Sequence, residues 1–142
     1  MSEDCIFCQI VAGDIPSRTV YEDDTVFAFL DANPLSPGHT LVIPKAHHER
    51  LNNTPADVAG EVLSTLHELV PVVESAVDAP ASTVAFNNGE EAGQEVSHVH
   101  GHIVPRFEDD GGRPIHALVT DSPDLDDDEL DAIESDIVAA LD

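Results

Sequence analysis

The 142-residue chain predicts an α+β fold: an antiparallel five-stranded sheet with one long helix and a C-terminal helix. Three observations carry this. Short β-branched and aromatic runs occur both early and late, a stretch with helical spacing lies between them, and an acidic amphipathic stretch follows. The length suits one domain over residues 1–142, large enough to bury roughly two-thirds of its unfolded surface. No repeat and no linker divides it.

The first two strands are Val20-Tyr21-Glu22 and Val26-Phe27-Ala28-Phe29-Leu30, joined through the polar Asp23-Asp24 turn as a hairpin. Asp31 to Gly38 is rich in turn residues. Thr40-Leu41-Val42-Ile43 then reads as a buried strand ended by Pro44, so His39 sits where a loop enters a strand. A helix is predicted from Thr54, with Pro55 at its first position and Asp57 three residues after the cap. Val58, Val62, Leu66, Val70, Val73 and Val77 form its apolar stripe, with a kink expected near Pro71. Thr83–Phe86 and Glu95–Val104 supply the last two strands around a glycine-containing loop, Asn87 to Gly93. An acidic helical segment is expected over about 122–142, with Leu130, Ile133, Ile137, Val138 and Leu141 on one face.

Twenty-nine acidic residues face five basic ones, Arg18, Lys45, Arg50, Arg106 and Arg113, for a net charge of −24. Such a surface repels nucleic acid and anionic membranes, which excludes both as partners. Charge this dense destabilises a compact chain unless concentrated salt screens it, so a salt-adapted cytoplasm is expected. No run of eighteen or so apolar residues is present and Met1-Ser2-Glu3-Asp4 lacks a basic segment, which predicts a soluble, cytoplasmic protein.

The chemistry is concentrated in His98-Val99-His100-Gly101-His102. On a strand, residues two apart share a face, so the three imidazoles are expected to line one surface. One zinc ion cannot bridge the outer pair, which strand geometry separates by about 13 Å against Zn–N bonds of about 2.1 Å. The run therefore divides its labour. A neutral imidazole is nucleophilic near neutral pH and can form a covalent adduct with phosphorus when its other nitrogen is held, which suits the middle residue, His100. The third, His102, can hydrogen-bond a phosphoryl oxygen. Cys5-Ile6-Phe7-Cys8 has the spacing shared by zinc sites and thiol redox motifs, and as the only cysteines of a cytoplasmic chain the pair argues against a structural disulfide. Lys45 and Arg106, at strand ends, can offset the field that repels phosphate. Backbone N–H groups around Gly93 can also receive it.

Several motifs in order resemble the histidine triad (HIT) family, in its Hint-like prokaryotic branch. They are Cys5-Ile6-Phe7-Cys8, Gly13-Asp14-Ile15-Pro16, Leu30-Asp31, Gly38 to Lys45, and Asn87 through Gly93-Gln94 to His98-Val99-His100-Gly101-His102-Ile103-Val104-Pro105-Arg106. The resemblance implies hydrolysis or transfer at the α-phosphate of purine nucleotides, such as adenosine phosphoramidates, through a nucleotidyl-histidine intermediate and with no metal in the chemical step. His100 is then the nucleophile, His102 assists at the phosphate and His39 orients the set. Asp31 binds the ribose hydroxyls, Ile6, Phe7 and Ala32 surround the base, and Asn87, Gly93 and Gln94 lie near the phosphate. The resemblance also implies a structural zinc held by Cys5, Cys8, His47 and His98, with His48 as an alternative to His47, and a homodimer paired partly through the long helix. Neighbouring readings are a dinucleoside polyphosphate hydrolase and a non-catalytic nucleotide- and zinc-binding module. Two residues depart from the family pattern. Gly101 replaces an apolar residue, from which looser packing is expected. Glu95 stands where many Hint-like proteins carry a serine that contacts the phosphate and leaving group.

Overall fold

A computed structural model describes residues 4–141; Met1, Ser2, Glu3 and Asp142 lie outside the described residues. The chain forms two compact units, divided after Gly112. The first opens with a short helix, α1 (Ile6–Val11), which the sequence reading missed. Five strands follow: β1 (Thr19–Glu22), β2 (Val26–Leu30), β3 (Thr40–Pro44), β4 (Ala81–Phe86) and β5 (Gly101–Arg106). They form one antiparallel sheet in the order β1-β2-β3-β5-β4, as the α+β reading required. The long helix α2 (Ala56–Ala76) lies between β3 and β4 in the chain.

Alternation along the central strands sorts the core into two layers. Phe27, Phe29, Leu41 and Ile43 pack with Phe7 and the two cysteines of the α1 segment. Val26, Ala28, Val42 and Ile103 pack with Val62, Leu66 and Val73 of α2. The β1–β2 turn is held by Asp23, whose Oδ1 accepts the backbone N–H groups of Thr25 and Val26.

The boundaries correct several expectations. Pro55, not Thr54, is the residue that caps α2, and the Thr54 hydroxyl donates instead to the Arg50 carbonyl. The helix continues through Pro71. The last strand starts at Gly101 rather than Glu95, and the segment before it bonds the loop after β3 at two points. Val99 N–H donates to the His48 carbonyl at 2.7 Å, and the Gln94 amide nitrogen donates to the Glu49 carbonyl at 2.6 Å. His98 and His100 thus precede the strand and His102 alone of the three lies on it, so their arrangement is not a simple alternation. Gly101 does not loosen the packing. A Cβ there would lie 2.8 Å from Leu66 Cδ1 and 2.9 Å from Phe86 Cζ, so two larger side chains already fill the space.

The second unit contains α3 (Asp127–Ala140), which starts five residues after Ser122. Its cap is a reciprocal pair: the Asp126 carboxylate accepts from Glu129 N–H while the Glu129 carboxylate accepts from Asp126 N–H. Leu130, Ile133, Ile137, Val138 and Leu141 are all exposed. No helix among the described residues is long and apolar enough to cross a membrane.

Candidate functional site

Two adjoining groups of side chains meet on the α1 layer of the sheet. In the first, the donor atoms of Cys5, Cys8, His47 and His98 lie within 4.8 Å of one another. Cys5 caps α1, its sulfur accepting the Cys8 N–H, so the two-residue spacing turns both thiols to one side of the first helical turn. His98 Nδ1 is 3.4 Å from Cys5 Sγ and 3.6 Å from Cys8 Sγ, and His47 Nδ1 is 3.4 Å from Cys8 Sγ. Bond lengths of zinc to sulfur and nitrogen with tetrahedral angles place such atoms about 3.6 Å apart, so the four donors fit the ion. The ring of His98 is also aimed correctly. Its Nε2 faces the Pro44 carbonyl at 2.8 Å, and since a carbonyl only accepts, the proton is on Nε2 and the Nδ1 lone pair faces the thiols. Both cysteines are free thiols, and burial pushes the Cys5 thiol up from its ordinary value.

The second group is His100, His102, His39 and Asp31. His100 Nδ1 faces the His98 carbonyl at 2.7 Å, so it must carry the proton and Nε2 keeps its lone pair. His39 Nδ1 accepts the Leu35 N–H at 3.1 Å, which places the His39 proton on Nε2. That N–H donates to His102 Nδ1 at 3.0 Å, with Asp31 Oδ2 3.6 Å from the same nitrogen. His102 is left with its proton on Nε2, a buried donor without a hydrogen-bond partner among the described residues. The spacing of Asp31, His39 and His102 would admit an ion. The Leu35 N–H excludes that arrangement while it holds His39 Nδ1, because the Nε2 that would have to bind the metal is protonated. One hydrogen bond joins His39 to His102, Asp31 lies beside it, and the His100 ring packs against His102 with centroids 4.9 Å apart.

Burial disfavours the charged form of all three imidazoles in this group. It brings His102 down to about 4 and holds His39 and His100 below 6.5, with Asp31 opposing the shift at all three and Glu95 opposing it at His100. His98 is likewise brought down to about 4 by burial. All four rings are therefore neutral near pH 7, the state a nucleophile or metal ligand needs.

The remaining expected residues divide. Ile6 and Ala32 are exposed. Phe7 is buried, its ring edge-on to His100 (centroids 5.0 Å), Phe29 and His98, so it supports the imidazoles and offers little face to a base. Gln94 cannot use its side chain on a phosphate: its oxygen accepts the Gly89 N–H, and its nitrogen donates to the Glu49 and Val96 carbonyls. Gly93, at φ +94°, adopts the left-handed conformation that a glycine takes freely, and Asn87 is exposed next to it. Lys45 is paired with Glu22 at 2.7 Å and Arg106 with Asp110 at 2.9 Å, so both cations are already engaged by carboxylates. His48 contributes its carbonyl, to Val99, while His47 supplies the ring at the thiols. Sequence reasoning missed the second use of Asp31, beside His39. The only signal was the short turn-rich interval that separates Asp31 from His39.

Residues 12–109 match the HIT domain. The chain belongs to the HIT family. An uncharacterized HIT-like protein of Methanocaldococcus jannaschii is 48% identical over 107 residues, 75% of this chain and 82% of that protein. The adenylylsulfatase HINT3 of Arabidopsis thaliana is 40% identical over 110 residues, 78% of this chain and 56% of HINT3. Among solved structures, a Streptococcus mutans protein aligns with a TM-score of 0.90 at 37% identity, covering 100% of this chain and 88% of its own. A zinc-bound histidine triad protein from Mycobacterium smegmatis aligns with a TM-score of 0.73 at 37% identity, covering 76% and 78%. A histidine triad nucleotide-binding protein from Candida albicans aligns at 0.83 and 32% identity, covering 97% of each chain. The HIT family thus holds nucleotide-binding proteins and hydrolases, and its fold is the one described above.

Proposed function

We propose that this HIT protein hydrolyses or transfers nucleotidyl groups, acting at the α-phosphate of purine nucleotides of the adenosine phosphoramidate type. One observation carries the reading: the bond from His100 Nδ1–H to the His98 carbonyl leaves Nε2 unprotonated on a ring that burial keeps neutral. Nε2 attacks the α-phosphorus, and the bond from phosphorus to the leaving nitrogen breaks as the amine takes up a proton. Water then attacks the phosphorus, the bond to His100 breaks, and the proton released by water balances the one the amine consumed. The unpartnered Nε2–H of His102 is the donor for a phosphoryl oxygen, with His39 and Asp31 holding that ring in its tautomer.

Cys5, Cys8, His47 and His98 hold a zinc ion in this reading. Bound there, the metal supplies a closed cross-link between α1, the loop after β3 and the segment before β5, with no open position for water. The protein acts as a homodimer. β4 is an edge strand, and exposed Val84 on it, with exposed Leu63 and Val72 on α2, offers an apolar face for a second copy. It works in the salt-rich cytoplasm that a net charge of −24 suits.

The direct test is to mix the protein with an adenosine phosphoramidate in molar salt, quench the reaction and search by mass spectrometry for adenylate on His100. Adduct and turnover are expected from the wild type and neither from His100→Ala. Undiminished turnover by His100→Ala would sink the mechanism.

A further inference from the structure

The tautomers of His39 and His102 start from one backbone amide. Leu35 N–H donates to His39 Nδ1, which puts the His39 proton on Nε2 and leaves the His102 proton on the nitrogen that has no partner of its own. Leu35 is poorly placed to hold that amide still. Its side chain is 78% exposed, and Ala32, Asn33, Pro34 and Pro37 are exposed around it. Three further bonds join the loop only to itself: Asp31 N–H to the His39 carbonyl at 2.9 Å, Asn33 N–H to Asp31 Oδ1 at 2.9 Å, and His39 N–H to the Ser36 carbonyl at 3.1 Å.

Ser36 reaches further. Half-buried, it donates its hydroxyl to the Pro105 carbonyl of β5 at 2.8 Å, the only hydrogen bond among the described residues that ties positions 32–37 to another element. The bond falls where the β3–β5 ladder has run out. Pairing ends at Thr40 opposite Ile103, and two residues earlier the chain turns at Gly38, φ +88°, where a Cβ would lie 3.2 Å from Pro105 Cγ. A serine side chain therefore adds a rung beyond the backbone ladder, to the same strand that carries His102.

We propose that Ser36 is a positioning residue: by anchoring its loop to β5 it keeps the Leu35 N–H on His39 and, through His39, keeps the His102 proton on the nitrogen offered to a phosphoryl oxygen. The inference rests on the proposed function, with His102 as the phosphate donor. When the loop lifts, His39 Nδ1 loses its donor and can carry the proton itself. His39 Nε2 then accepts from His102 Nδ1, and His102 Nε2 presents a lone pair where a phosphoryl oxygen needs a proton. Each ring keeps one proton throughout, so the tautomers change and the charge does not. Asp31 Oδ2, 3.6 Å from His39 Nε2, still favours a proton on that nitrogen, so losing the serine hydroxyl weakens the arrangement without abolishing it.

The test takes the full-length protein with an adenosine phosphoramidate and reads kcat, KM and the ring-nitrogen NMR shifts of 15N-labelled histidines, which report each tautomer directly. Wild type should show His39 and His102 protonated on Nε2. Ser36→Ala should lower kcat about threefold to tenfold, as loss of one hydrogen bond implies, with KM changed less than about twofold. Both rings should move toward Nδ1 protonation in that variant. Ser36→Thr keeps a hydroxyl and should restore kcat and both tautomers. A fall in kcat with the tautomers unmoved overturns the inference, because the serine would then be merely structural. So does an unchanged kcat in Ser36→Ala, or a loss that Ser36→Thr leaves unrepaired. Each of these outcomes spares the function, since the wild type still turns over and forms the His100 adduct. Absence of adduct and turnover in the wild type overturns the function and this role together.

Discussion

His100 owes its readiness to a backbone carbonyl. Because that bond fixes the tautomer and burial lowers the pKa, the ring stays neutral to more acid conditions than a free imidazole. The acid limb of kcat/KM for a phosphoramidate is therefore expected below pH 6.5, read from a pH–rate profile. His102 gives a stability counterpart. Its folded pKa, about 4, lies below the ordinary 6.5, so between those values the unfolded chain binds more protons than the native one. Stability is then lost as pH falls from about 6.5 to about 4, and urea titrations should show a shallower loss in His102→Gln. At Gly101, Leu66 and Phe86 leave no room for a methyl group. Gly101→Ala should cost about 1–3 kcal/mol, and combining it with Leu66→Ala should cost less than the two separate losses added together. A double-mutant cycle by urea denaturation measures that coupling.

Among elements, β2 was legible because its apolar run is bounded by Asp23 and Asp31, and β3 because Pro44 stops it. The spacing of Cys5 and Cys8 marked the thiol pair but left zinc and redox chemistry both open, since two thiols a helical turn apart suit either. The start of β5 was not, since alternation of His, Val and Gly suits a strand equally well when the partners lie in a loop, and here Pro44, His48 and Glu49 supply them. Nor was α1 legible: six residues are too few to show a periodic face, and an isolated helix of that length is marginal in water. Its cap is a cysteine sulfur, so the proposed metal also secures the helix. Titration should find about one zinc per chain, Cys8→Ser should abolish tight binding, and chelation should raise amide exchange in α1 first. The side chains of Phe7 and Gln94 show the remaining gap between motif and structure. Both belong to family motifs, yet one is buried against imidazoles and the other is spent on backbone groups.

For the molecule as a whole, charge dominates. Five cations cannot balance 29 acids, and raising salt from 0.1 M to 1 M shortens the Debye length from about 10 Å to about 3 Å. The melting temperature is expected to climb steeply over that range. A flat response in calorimetry would refute the salt-adapted reading. Light scattering should give the mass of a dimer, and Val84→Lys, which puts a charge on the exposed edge strand, should shift it toward monomer.

His98 is held at two points of one residue, its ring between the thiols and Pro44 and its carbonyl on His100. Mutagenesis can separate these holds, since His98→Ala deletes the ring and leaves the carbonyl. Whatever turnover that variant loses gauges how stiff a mount the nucleophile requires. Cys5, 93 positions from His98, would then govern the tempo of a reaction that its own side chain never touches.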